Sequence, residues 1–246
     1  IFAKSIWRES LPTCLGFFSF SHYHAKWLAE LTQKPVSPLI HPTEIPDRLF
    51  DFDCFCANPA KKIVQIGWWL RRLQAIHELP VALDSVLGYE KIRLLPRFFA
   101  GADDYLLQLM EIERRETEAL VAPIEFDNTR VVQHLANDAY DALLSENIAF
   151  VYLYDANANN AVVECIARGT PLLINRLPAV QEYLGVDYPF YYDDLYDATK
   201  KSQDLGRVRA ANEYLMHCET RPKLDRDYFQ RSFEQSDVYQ SLPMPM

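Results

Sequence analysis

One carboxylate stands apart from its surroundings. In NNAVVECIARGTPLLIN, Asn159 to Asn175, Glu164 lies inside an otherwise apolar segment that ends in a Gly-Thr-Pro turn. Helical spacing puts Val162, Cys165 and Ile166 on a buried stripe and leaves Glu164 beside it, one turn in from the helix start. A carboxylate there can accept two hydroxyl hydrogen bonds, which the vicinal diol of a ribose matches. The same position also suits a surface glutamate that supports a helix N-terminus. Just upstream, asparagines and small residues follow an apolar run, a helix start that leaves the amides of Asn159, Asn160 and Ala161 open to an anion. A second candidate is Gly67 with the Trp-Trp-Leu-Arg-Arg that follows it. Glycine lets the backbone approach a ligand, and Arg71 and Arg72 carry guanidinium groups suited to phosphate. A tight turn with two solvated arginines is the alternative. The chain contains neither GxGxxG nor GxxxxGK[ST], so no phosphate-loop signature settles the choice.

These residues need strands and helices to position them, and the patterning supplies both. LGFFSFS (15 to 21), HYHAKWLAELTQ (22 to 33) and PVSPLI (35 to 40) read as a strand, a helix and a strand. Residues 41–60 hold three prolines and little periodicity, and read as a linker. From Lys61 apolar runs at 61–68, 89–96, 129–135, 147–154 and 170–175 alternate with helical patterns at 69–79, 103–121, 137–146, 159–168 and 178–185. This order predicts a Rossmann-like α/β domain, a parallel sheet with helices on both faces. Two more helices are expected near 205–218 and 225–234. The division that follows is 1–46 as the end of one α/β domain, 47–60 as linker, 61–215 as the Rossmann-like domain and 216–246 as a helical tail. The chain begins at Ile1, in what reads as the middle of an element, and the expectation is a piece whose front half is missing.

Composition narrows the function classes. The 246 residues are 49% apolar and 13% aromatic, enough for an ordinary globular core. No apolar run reaches membrane-spanning length and no signal peptide is evident, so a soluble cytoplasmic protein is expected. A net charge of -9 argues against a long phosphate backbone as partner, whereas a single diphosphate needs only local cations and amides. The five cysteines form no CxxC, which predicts reduced thiols and no structural metal. The histidines His22, His24, His41, His77 and His134 are too scattered to form a centre and read as structural.

The order helix, ARGTPLLIN, then a helix at PAVQEYLG resembles the nucleotide-sugar-binding half of the two-Rossmann-domain (GT-B) glycosyltransferases. The likeness is to the retaining, group 1-like enzymes, which carry a glutamate, a G-T-P or G-x-P turn, a strand and a later glutamate. Here these are Glu164, Gly169, Thr170, Pro171 and Glu182. The front piece resembles the close of such an enzyme's first domain. The resemblance implies that Glu164 holds the donor's ribose and that Arg71 or Arg72 neutralises its diphosphate, with the amides of Asn159, Asn160 and Ala161 on the same phosphates. Glu182 would touch ligand, orient a loop or cap its helix.

Two departures stand out. A second acid often lies eight residues before the glutamate, where this chain has Ala156, with Asp155 one step away as a substitute; and Asn159 stands where that loop commonly has glycine. The implied activity is metal-independent transfer of a sugar from a UDP- or GDP-type donor, with no cofactor and with the first-domain catalytic residues upstream of Ile1. Asp103-Asp104 and Asp193-Asp194 are the acidic pairs to check against a metal-binding triplet. The rival readings are a non-catalytic nucleotide-binding or assembly module and a nucleotide-sugar epimerase, the latter needing a histidine and acid cluster that is not evident.

Overall fold

Parallel strands covered on both faces must be apolar along their whole length, and the fold follows where this chain supplies such runs. The computed structural model describes residues 4–81, 87–95, 103–119, 128–157 and 159–243. The first unit comprises α1 (Ser5–Ser10), β1 (Phe17–Ser19), α2 (His22–Thr32) and β2 (Val36–Pro38), with the two strands parallel. Ser21 starts α2 by accepting the His24 amide on its side chain, and Gln33 ends it at a φ of 54°.

The main sheet has six parallel strands: β3 (Lys62–Gln65), β4 (Glu90–Leu94), β5 (Thr129–Val132), β6 (Ile148–Val151), β7 (Leu172–Asn175) and β8 (Tyr191–Tyr192). Their spatial order is β5-β4-β3-β6-β7-β8, the doubly wound order that reverses between β3 and β6. The accompanying helices are α4 (Ala75–Glu78), α5 (Asp103–Glu118), α6 (Asn137–Ser145), α7 (Asn160–Arg168), α8 (Pro178–Leu184), α9 (Leu195–Ser202), α10 (Leu205–His217), α11 (Arg226–Glu234) and α12 (Asp237–Gln240), with α3 (Phe52–Ala57) ahead of the sheet. Because parallel crossovers are right-handed, the reversal sends the helices of the two halves to opposite faces. All four residues of β6 are fully buried, as befits the central strands. The Rossmann-like α/β architecture is therefore as the patterning predicts.

Three stretches differ from the sequence expectation. Residues 41–60 are not a bare linker: Asp51 caps α3 by accepting the Cys54 amide at 2.8 Å, and Phe50 and Phe55 enter the main core. β8 and α9 carry too short a pattern to announce themselves, yet the Tyr192 hydroxyl donates to the Val151 carbonyl at 3.0 Å and anchors the sheet edge. The expected helix at 69–79 reduces to the single turn α4, for reasons given below. Pro96, Leu120 and Val121, at the expected ends of a strand and a helix, and the side chain of Asp103 lie outside the described residues.

The two units are held together by side chains as well as by the connecting segment. α12 returns to the first unit, where the Val238 amide donates to Ser37 Oγ at 3.3 Å, and the Phe233 ring lies 4.9 Å from that of Phe18. Among the described residues no helix is long and apolar enough to cross a membrane.

Candidate functional site

Where a doubly wound sheet reverses, neighbouring loops part at the carboxyl ends of the strands and leave a crevice. In this chain the reversal lies between β3 and β6, so the loops that matter are those after Gln65 and Val151. The first opens with Gly67 at a φ of 75°, a conformation that favours glycine. A helix does not follow at once. Leu70 also takes a positive φ, 56°, and Arg71 forms an antiparallel bridge with Leu153. The Arg72 amide donates to the Tyr152 carbonyl and the Tyr154 amide to the Leu70 carbonyl, each at 2.9 Å, stitching the two loops together. Buried polar side chains hold the rest of the segment: Gln65 Nε2 donates to the carbonyls of Arg72 and Leu73, and Glu113 of α5 accepts the amides of Leu73 and Gln74. Those amides and carbonyls would otherwise enter a helix, and their tertiary partners explain why the helical pattern at 69–79 is overridden.

This rearrangement separates the two arginines. Arg71 folds back over Gly67, where a Cβ would meet its Nη1 at 1.1 Å. Its Nη1 donates to the Ile66 carbonyl and its Nη2 to Asn159 Oδ1, both at 2.6 Å, while its Nε is buried without a partner. The residue is only 7% exposed, and among the described residues no carboxylate pairs with it. Burial pushes its pKa down to about 10, partly offset by Tyr140 and Glu164, so the guanidinium stays charged at neutral pH. Arg72 points elsewhere, pairing with Glu78 at 2.6 Å and lying over the Tyr152 ring.

The second loop presents the other candidates. Asn159 caps α7, and its Oδ1 accepts the Ala161 amide at 3.2 Å as well as the Arg71 bond. The Ala161 amide, expected to be open to an anion, therefore already has a partner; that correction comes from Asn159 acting as the cap. Asn160 and Asp155 line the same space, with Asp155 Oδ1 accepting the Ala156 amide at 2.8 Å, and Ala156 itself is buried. Ala158 lies outside the described residues. Glu164 projects from the first turns of α7, and its Oε2 accepts a hydrogen bond from the Tyr140 hydroxyl at 2.6 Å.

Two chambers meet at these residues. The smaller, about 320 Å³, is lined by the Gly67–Arg71 loop and by residues 155–157 and 159–161. The larger, about 670 Å³, opens beyond β4 and β5, past Leu94, Leu95, His134 and Leu135, with Thr43–Asp47 as its outer wall. Gly67, Tyr140 and Glu164 line both, so they form the neck of one cleft running along the strand ends. Glu182 is not there. Its two carboxylate oxygens accept the His22 and Tyr23 amides at 2.6 Å each, capping α2 of the first unit from across the molecule. Asn157 makes a similar link, its Oδ1 accepting the Ser19 and Ser21 hydroxyls at 3.1 and 3.2 Å. Asp193 pairs with Arg176 and Asp194 caps α9, so the second acidic pair is structural.

No protein-family model matches the chain, and no curated protein does. Solved structures match it clearly. A UDP-forming α,α-trehalose-phosphate synthase from Burkholderia xenovorans superposes with a TM-score of 0.65 at 12% identity, over 99% of this chain and 65% of that one. Sucrose-phosphate synthase from Thermosynechococcus elongatus gives 0.60 at 14% identity, over 87% and 54% respectively. WaaG, a glycosyltransferase involved in lipopolysaccharide biosynthesis, gives 0.60 at 14% identity, over 98% and 69%. The chain has the GT-B glycosyltransferase fold. It spans between about half and two thirds of the two synthases' lengths.

Within the GT-B fold, the cleft lies at the reversal point of the second Rossmann-like unit. The side chains brought together there are Arg71, Asn159, Asn160, Asp155 and Glu164, with Gly67 beneath Arg71; Arg72 and Glu182 are engaged elsewhere. Tyr140, Asn157 and Trp68, which sequence reasoning did not single out, share the cleft walls. Tyr140 carried one signal, an aromatic residue within the helix 137–145, but its partner is 24 positions away.

Proposed function

We propose that this chain is the donor-binding part of a glycosyltransferase that moves a sugar from a nucleoside diphosphate to an acceptor. One observation carries the reading: a buried, charged guanidinium without a carboxylate partner among the described residues, at the reversal point of the sheet and at the start of α7. A buried cation is normally neutralised by a paired acid, and one left without is an anion site awaiting its ligand. The diphosphate fits that place, with the α7 dipole adding to the attraction. Glu164 at the neck then meets the ribose, and the base takes the larger chamber, whose walls include Leu94, Leu95 and Leu135. The sugar lies in the smaller chamber, where Asp155 and Asn160 offer polar groups in place of an acid at Ala156.

In transfer, the bond from the sugar's anomeric carbon to the diphosphate breaks and negative charge grows on the departing oxygen. Arg71, held in a low-dielectric wall, stabilises that charge without reorganising. The reading includes metal-independent transfer, in which Arg71 and the helix terminus carry the electrostatic work; nucleotide affinity unchanged by EDTA is the expected result.

The test is calorimetric binding of UDP, GDP, ADP and their glucose conjugates to wild type and to Glu164→Ala. At least one nucleotide should bind, and the alanine variant should bind it roughly tenfold more weakly or worse, as expected on losing hydrogen bonds to a charged group. A protein that binds none of them would sink the reading. Sugar transfer by the chain with its acceptor-side domain then separates an enzyme from a binding module.

A further inference from the structure

Glu164 does not stand free at the neck. The Tyr140 hydroxyl, on α6, donates to its Oε2 at 2.6 Å. Burial, and then the Glu164 carboxylate beside it, push the phenol's pKa well above the tyrosine range, so it remains a donor. Behind the ring, the Arg168 guanidinium lies 5.5 Å from its centroid. Arg168 is fixed in turn, paired with Asp141 next to Tyr140 and donating to the Glu164 carbonyl at 3.3 Å. Arg168 thus braces the phenol ring and the Glu164 backbone, and the phenol is the only group that touches the carboxylate oxygens among the described hydrogen bonds.

The geometry points to Tyr140 as a positioning residue that sets recognition of the ribose diol. This rests on the donor reading given above. A carboxylate on a helix swings about its last torsion freely, because that torsion has only broad, shallow wells. A hydroxyl bonded to Oε2 pins the plane of the group and leaves Oε1, with the remaining lone pair of Oε2, turned to the cleft. Two acceptors held at fixed spacing match a vicinal diol and gain nothing from a sugar lacking it. Preorganisation of this kind shows as affinity, because the ordering cost is met in the free protein.

The experiment uses the tightest of UDP, GDP and ADP, and the 2′,3′-dideoxy form of the same diphosphate, titrated into wild type, Tyr140→Phe, Glu164→Gln and the double variant. Phe keeps the ring against Arg168 and adds no bulk, and thermal melting checks that the fold is kept. Tyr140→Phe should weaken the ribonucleotide by roughly tenfold and leave the dideoxy compound unchanged. In the Glu164→Gln background, which removes the charge that the phenol orients, it should add less than about threefold. Equal loss for both nucleotides would mean that Tyr140 only packs the cleft. Tighter binding to the Phe variant would mean that the phenol occupies the place of a ribose hydroxyl, and unchanged binding that it does nothing to the carboxylate; each of these overturns the proposal while sparing the donor reading. A wild-type protein that binds no nucleotide overturns both.

Discussion

Replacing Arg71 and Arg72 in turn separates two adjacent guanidinium groups that the sequence treats alike. Arg71 donates to two neutral acceptors and keeps its charge inside the wall of the cleft, so a bound diphosphate would give the charged donor an anionic acceptor. Losing such bonds costs about 1.5–3 kcal/mol, or roughly a 10- to 150-fold rise in Kd. Stability should suffer less: Arg71→Ala leaves the Ile66 carbonyl and Asn159 Oδ1 short of a donor, but it also removes a charge whose burial is unfavourable, for a net of about 1–2 kcal/mol. Arg72→Ala should do the opposite. It strands Glu78, whose side chain is 10% exposed and keeps only the Thr117 hydroxyl at 3.0 Å, among described partners. A stability loss of about 1–3 kcal/mol with a Kd within about twofold of wild type is expected. Arg71→Lys should fall between, because one ammonium cannot reach both acceptors with the same planar fork. Isothermal titration with the tightest nucleotide and differential scanning calorimetry read the two quantities separately. Equal affinity losses at the two sites, or a loss confined to Arg72→Ala, would refute the assignment of the anion site to Arg71.

Other expected outcomes follow from the same geometry. Gly67→Ala puts a methyl on a positive-φ residue and into the Arg71 guanidinium, so it should cost about 1–3 kcal/mol in stability and lower nucleotide affinity as Arg71→Ala does; an unchanged melting temperature and Kd would show that the loop repacks at no cost. Glu182→Ala removes both acceptors at the start of α2, a loss of about 1–2 kcal/mol that should free the His22 and Tyr23 amides to exchange hydrogen while nucleotide binding stays the same. The folded pKa of Arg71 is pushed down to about 10, below the ordinary guanidinium value, so the group stays largely charged from pH 7 to 9 in the folded protein. Above about pH 10 its proton is lost sooner from the folded than from the unfolded state, which raises the stability contributed by this group and lowers anion affinity. Binding that strengthens over that range would contradict it.

Much of the fold was legible because its central strands are buried on both faces. IAFV and LLI are continuous apolar runs of strand length, and the helices between them carry one apolar stripe, so the period alone names the elements. The same legibility reached Glu164, since a charged residue on the edge of an apolar stripe is visible without coordinates. It failed where side chains, rather than the backbone period, decide the conformation. WLRRLQAIHEL has helical spacing, but Glu113 and Gln65, from other elements, take the backbone groups of its middle and turn it into a loop. Asn159 was legible as a residue that tolerates unusual backbone angles, whereas its occupation of the Ala161 amide and its bond to Arg71 were not.

What the sequence by itself determined is the succession of elements, the α/β class and the segment around Glu164, because these depend on interactions within a few residues. Only the tertiary structure decided which arginine belongs to the cleft, that Glu182 caps a helix of the other unit, and that Tyr140 grips Glu164. Each of those outcomes joins residues between 24 and 160 positions apart. Contacts at such separations follow from the order in which the sheet is wound, and no local period in the chain encodes that order.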